Sequence, residues 1–268
     1  MSTDKPCCCC GAGKAASCGG LTSEPTPLEW FGRMIPNCLE YARNAREQQR
    51  PIVGIMCEFT PRELIMAAGG VPVCLCGGSN ATIPAAETVL PSNLCPLIKS
   101  TFGYHVQKNN PFLEMADLVV AETTCDGKKK MYELMAESRP MYILELPQKV
   151  DDENARTHWI AELRRFREFL EKKFEVEITD DRLREAIAVM NRERQLRREL
   201  ASFMQSDRPP LTGRQLLLLK SSISGIPADF RQYEKAIDEY RKMIEMRKPG
   251  LSCSEIGQKP VRVLMTGV

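Results

Sequence analysis

Cysteine sets the first chemical question for this chain, because 12 of its 268 residues are thiols. A thiolate is both a soft metal ligand and a strong nucleophile, so cysteine in quantity points to metal binding, thiol catalysis or a disulfide framework. Cys57 stands just beyond an apolar run at 52–56, Cys76 closes a second at 71–76, and Cys125 follows a third at 117–121 after two threonines. Cys95 lies in Asn93-Leu94-Cys95-Pro96, where a helix is expected to begin. Cys57 and Cys125 also precede expected helix starts at Pro61 and Asp126. The positive end of a helix dipole favours thiolate over thiol, and thiolate is the form that binds iron. Cys74 would share a strand face with Cys76, and the spacing leaves open which of the two is a ligand.

The same pattern also describes small apolar residues buried in a sheet core. These five cysteines form no Cys-x-x-Cys pair and no compact ferredoxin run. A zinc site would bring closely paired ligands with histidine among them, and His105 and His158 make no such pair. Cys38 falls on an apolar helical stripe and reads as core. Lys128, Lys129 and Lys130 occupy the first turns of the helix after Cys125, the end where cations are unfavourable. They read as a solvated run, as compensation for a negatively charged thiolate cluster, or as attraction for an anionic substrate or partner.

The elements that must position these thiols follow an alternating rhythm. Strands are expected at 52–56, 71–76, 117–121 and 141–146, with helices between them: one after the capping-box sequence Thr60-Pro61-Arg62-Glu63, others at 82–90 and 94–104, and one capped by Asp126. Alternation of this kind implies βαβ units and a Rossmann-like parallel sheet, whose ligands bind at the carboxyl ends of the strands. Residues 28–48 read as one preceding helix. The expected organisation is a Cys-rich disordered tail at 1–25, an α/β domain at 26–150 (the cluster-binding domain under the resemblance given below), a helical section at 151–258, and the first strand of a second α/β domain at 259–268. Within the helical section, amphipathic helices are expected at 159–174, 183–204 and 228–246, with a buried apolar segment from Leu216 to Leu219.

Several classes are disfavoured. The 37 basic and 35 acidic residues are mixed along the chain, which gives no case for a nucleic-acid surface. No apolar run approaches the roughly 20 residues of a membrane span, and the first 20 residues contain no signal-type segment, so a cytoplasmic location is expected. Thiols stay reduced there, which argues against disulfides. In the tail, Cys7, Cys8, Cys9, Cys10 and Cys18 could form an accessory thiol site. Gly13-Lys14-Ala15 is not a phosphate loop: Cys8 replaces its first glycine, and Ala15 lacks the metal-binding hydroxyl.

Three segments carry a resemblance: Cys57-Glu58-Phe59-Thr60-Pro61-Arg62-Glu63, Asn93-Leu94-Cys95-Pro96-Leu97-Ile98-Lys99-Ser100, and Glu122-Thr123-Thr124-Cys125-Asp126-Gly127-Lys128-Lys129-Lys130-Met131-Tyr132. From about residue 28 onward the chain resembles the 2-hydroxyacyl-CoA dehydratase D-component superfamily. The Cys-Asp-Gly-Lys-Lys-Lys form is most similar to its double-cubane cluster branch. The resemblance implies two α/β cluster-binding domains separated by a helical section. It implies iron bound at Cys95 and Cys125 with at least one cysteine from the second domain, as a 4Fe–4S cluster or a double cubane. In the double-cubane branch Cys57 and Cys76 are the natural further ligands, and Cys253 is not one. It also implies a separate ATP-hydrolysing iron–sulfur activator and a homodimer or heterodimer of related subunits. The chain departs from the family in its Cys-rich tail and in stopping just inside the second domain. Three functions follow as expectations: low-potential reduction of a small substrate, radical dehydration of a 2-hydroxyacyl-CoA, or a truncated non-catalytic remnant.

Overall fold

Both faces of a strand buried in a parallel sheet must be apolar, and the four apolar runs obey that rule. The computed structural model describes residues 24–149, 151–246 and 263. In chain order the elements are α1 (Pro27–Gly32), α2 (Met34–Glu47), β1 (Ile52–Ile55), α3 (Arg62–Ala67), β2 (Val71–Cys74), a 3-10 turn (Asn80–Thr82), α4 (Ile83–Ala86), α5 (Pro96–Gln107), α6 (Pro111–Met115), β3 (Leu118–Glu122), α7 (Asp126–Ala136) and β4 (Met141–Leu144). The helices α8 (Glu153–Phe174), α9 (Asp180–Ser202), α10 (Gly213–Leu218) and α11 (Pro227–Glu245) follow.

The strands form one parallel sheet in the order β2-β1-β3-β4. Side chains alternate across it. Ile52, Met56, Val119 and Ala121 pack toward α2, α5, α6 and α7. Val53, Ile55, Leu118 and Val120 pack toward α3, α8 and the start of α9. The outer edge of β2 is covered by one antiparallel bridge, Val73 to Ile223, with the Cys74 amide donating to the Ser222 carbonyl at 2.8 Å. This bridge shields part of that edge from pairing with another chain. A third cluster joins α1, α9, α10 and α11 through Phe31, Leu200, Leu216 and Tyr233. Among the described residues no helix is long and apolar enough to cross a membrane.

Several expectations need correction. Residues 28–48 form two helices, because Arg33 leaves the helical region at φ −101° and ψ 25°. Thr60 is not a cap: Pro61 holds the N-cap position of α3 without a side-chain bond, and the Thr60 hydroxyl donates to Glu122 instead. The N-cap of α7 is Cys125, and Asp126 is its first helical residue. Strand β2 ends at Cys74, so Cys76 lies beyond it. Helix α6 has no counterpart among the expected elements, although Asn110 caps it and Pro111 opens it. Leu217 and Leu218 are exposed, and only Leu219 of the 216–219 segment is buried. The tail thiols, Cys253 and the expected strand at 259–268 lie outside the described residues, Val263 apart.

Candidate metal centre

The chain crosses from one face of the sheet to the other between β1 and β3. Helix α3, which follows β1, covers one face, and α7, which follows β3, covers the opposite face. Helices that diverge in this way open a crevice at the carboxyl ends of the two strands, the usual ligand site of an open α/β sheet. Cys57 lies two residues beyond β1, and Cys125 three beyond β3. The Cys57 sulfur is 3.6 Å from the Thr124 hydroxyl. Cys76, past the end of neighbouring β2, points its thiol at the Met56 carbonyl, 3.1 Å away. Cys57, Cys76 and Thr124 therefore meet at one edge of the sheet.

Lys128 is the cation of this edge. Its ammonium donates to the Cys57 sulfur at 2.6 Å. Burial disfavours that charge, but the Cys57 sulfur, with Cys76 and Cys125 nearby, outweighs burial and pushes the Lys128 ammonium above its ordinary value. Its two neighbours are spent locally, Lys129 on Asp126 and Lys130 on Glu133, each at 2.7 Å. The lysine run thus divides into one residue turned to the thiols and two on the surface. Cys74 and Cys76 also interact: the Cys76 thiol stabilises a thiolate at Cys74, pulling it down to about 6, while Cys76 itself is pushed up.

Beneath the thiols sits a buried polar layer. Glu122 is wholly buried; one carboxylate oxygen accepts from the Thr60 hydroxyl at 2.6 Å, and the other has no hydrogen-bond partner. Burial pushes the Glu122 carboxyl up. Burial and the Cys57 sulfur likewise push up the Tyr132 phenol, whose hydroxyl is buried and unpartnered.

Cys95 reaches this region from the N-cap of α5, as Cys125 does from the N-cap of α7. Neither thiol makes a capping hydrogen bond, so both sulfurs are exposed and uncommitted at positive helix ends. The two helix starts meet at Gly127, where a Cβ would lie 2.9 Å from the Leu94 side chain and 3.0 Å from Ile98. Cys38 is buried in α2 and 3.3 Å from the Ser221 hydroxyl, which makes it a core residue. Among the described residues no three Cys, His, Asp or Glu side chains converge on one point as the ligands of a single ion do. The sequence points to Cys57, Cys76, Cys95 and Cys125; it does not single out Thr124, Glu122 or Tyr132, whose contacts arise only when β1 and β3 pair.

Comparison with known proteins follows the same residues. The family described as 2-hydroxyglutaryl-CoA dehydratase, D-component, matches residues 57–268. The Escherichia coli protein named "Putative dehydratase subunit YjiM" is 47% identical over 200 residues, covering 74% of this chain and 51% of that protein. A benzoyl-CoA reductase subunit of Thauera aromatica is 29% identical over 154 residues, 56% of this chain and 39% of its own length. The beta subunit of lactoyl-CoA dehydratase from Anaerotignum propionicum is 27% identical over 153 residues, 57% of this chain and 40% of its own length. The chain therefore spans about half or less of the length of these relatives. With a match that begins at Cys57 and takes in every thiol of the crevice, the chain belongs to the 2-hydroxyglutaryl-CoA dehydratase D-component family.

Proposed function

We propose that this chain is the cluster-holding part of an iron–sulfur redox protein. In this reading the thiolates of Cys57, Cys76, Cys95 and Cys125 carry a low-potential cluster at the β1/β3 crevice. The observation that carries it is the pairing of Lys128 with Cys57, beside Cys76, at the carboxyl edge of the parallel sheet, where such sheets usually bind ligands. The donor set suits such a group. A cubane is several atoms across, so its thiolates stand at separate corners rather than meeting at one point. Cysteines spread over two strand ends and two helix N-termini present themselves in that way, and those helix ends favour the thiolate form. When bound, the cluster supplies one-electron reduction at low potential.

The protein's own groups have separable tasks. Four thiolates concentrate negative charge, and Lys128 offsets part of it. Met56 and Tyr132, with Leu94 packed against their core cluster, form the apolar floor beneath the thiols. Electrons would come from a separate ATP-hydrolysing iron–sulfur activator, and the working unit would be a dimer of related subunits in the cytoplasm. The substrate would be small.

The names of the relatives favour a second reading, a subunit of a 2-hydroxyacyl-CoA dehydratase. Iron and acid-labile sulfide per chain on the anaerobically purified gene product separate the two. About eight irons support the double-cubane reading, and about four with tight binding of an acyl-CoA support the dehydratase. Cys95→Ala should abolish the iron–sulfur absorbance; unchanged iron in that variant, or no iron in the parent, overturns both readings and leaves the remnant.

A further inference from the structure

The opposite edge of the sheet carries a second concentration of charge. A cavity of about 660 Å³ is bounded there by Arg46, Arg50, Lys173 and Arg182, with Asp117 as its carboxylate. Among the described residues none of the four cations forms an ion pair. Three guanidiniums are instead fixed by neutral acceptors: Arg46 by the Met115 carbonyl at 3.2 Å, Arg50 by the Gly69 carbonyl at 3.1 Å and the Tyr41 hydroxyl at 3.3 Å, and Arg182 by the Glu177 carbonyl at 2.9 Å. Asp117 is itself engaged, accepting the Ile52 amide at 2.8 Å.

Holding the carbonyls at the ends of α6 and α3, and in the α8–α9 loop, uses only part of each guanidinium's donor fork and leaves its charge uncompensated. Helix-dipole compensation accounts for Arg46 and Lys173, in the last turns of α2 and α8. It does not account for Arg182, in the first turn of α9, where a cation is disfavoured. Arg182 nevertheless lies beside Gly69, as Arg50 does. A Cβ on Gly69, the residue whose carbonyl Arg50 holds, would stand 3.5 Å from the Arg182 guanidinium, and its φ of +84° already favours glycine. Bringing like charges together costs energy unless an anion joins them.

We propose that this cavity is a binding site for a diphosphate group, either free pyrophosphate or the diphosphate of a nucleotide. Guanidiniums pre-oriented by their own backbone bonds suit bidentate phosphate recognition. Four cations facing one engaged carboxylate match a multiply charged anion better than a single phosphate. The volume lies within the roughly 300–1,000 Å³ of small-molecule sites. The strands rise about 3.3 Å per residue, which puts this edge roughly 15–20 Å from the thiols. The site is therefore separate from the cluster crevice and does not rest on the reading of it.

Calorimetric titration of the whole protein with pyrophosphate, ADP and inorganic phosphate tests the assignment. One saturable site per chain is expected, with pyrophosphate and ADP at least tenfold tighter than phosphate and with affinity falling as salt rises. The tighter of pyrophosphate and ADP identifies the natural source. Lys173→Gln, at a residue whose side chain makes no hydrogen bond among the described residues, should weaken binding about tenfold, and adding Arg182→Gln should weaken it further. Iron content should not change, and Lys172→Gln, on the same turn, should bind as the parent does. No saturable binding of pyrophosphate, or equal affinity in the Lys173→Gln and Lys172→Gln variants, overturns the proposal.

Discussion

Thr60 shows how much one side chain can owe to a partner far away in sequence. Among the described residues its hydroxyl is the one side chain that donates to Glu122, a carboxylate with no exposed surface. Thr60→Val keeps the shape and removes that donor, leaving Glu122 less satisfied in the core. A cost of about 1–3 kcal/mol is expected, read as a lower urea midpoint at unchanged slope. Wild-type stability in the variant would mean that the carboxyl is satisfied elsewhere. The sequence around Thr60 spells a capping box, and local spacing supports that reading fully. What it cannot reveal is that Glu122, on a strand paired beside β1, competes for the same hydroxyl. The crevice thiols were more legible because their signal is local: a cysteine just past an apolar run is a cysteine at a strand's carboxyl end. Lys128 lay between. The lysine run was visible, but which lysine turns inward depends on where α7 lies against β1.

At the level of elements, two glycines set the approach of α5 to its neighbours, and the atoms they would strike rank the effects of filling them. A Cβ at Gly103 would lie 2.0 Å from the Thr82 carbonyl oxygen, which is backbone and cannot yield. A Cβ at Gly127 would meet the mobile tips of Leu94 and Ile98 at 2.9 and 3.0 Å, which can turn aside. Gly103→Ala should therefore destabilise by about 3 kcal/mol or more, and Gly127→Ala by about 1 kcal/mol or less. Thermal or urea unfolding gives the order, and its reversal would contradict the packing described for α5. The larger Gly127→Val would push apart the helix starts that carry Cys95 and Cys125, and under the proposed function it lowers iron per chain while the fold persists. The strands were readable because a parallel sheet buries both faces and so demands continuous apolar runs. Helix limits were less so, because they depend on single residues such as Arg33, where α1 and α2 part, and on the Asn110 cap of α6 within a short polar stretch.

For the whole molecule, the helical layer built on α9 and α11 carries two acidic groups that oppose stability as pH rises. Asp229 is buried in the first turn of α11, accepts the Trp30 indole N–H at 2.8 Å, and leaves its other oxygen unpartnered. Glu193 on α9 is buried and accepts the Gly225 amide at 2.9 Å, with Arg197 at 3.8 Å. Burial pushes both carboxyls above their ordinary values, more than these bonds pull them down. A carboxyl raised in the folded state holds its proton there when the unfolded chain has released it. Its stabilising share is thus complete below about pH 4, the ordinary carboxylate range, and is lost as pH rises through the folded value. Asp229→Asn keeps an acceptor for Trp30 and removes the charge. The parent should lose stability relative to this variant between pH 4 and pH 8, with a gap of about 1–3 kcal/mol at the upper end. Urea unfolding at the two ends of that range measures it. Parallel pH profiles would mean that Asp229 is ionised in the fold at no cost, and would overturn this account of its burial. The charges of α9 read as a solvated face with ion pairs, and Glu193 is the exception because it lies on the buried stripe of Ala186, Met190, Leu196 and Leu200, where the Gly225 amide meets it.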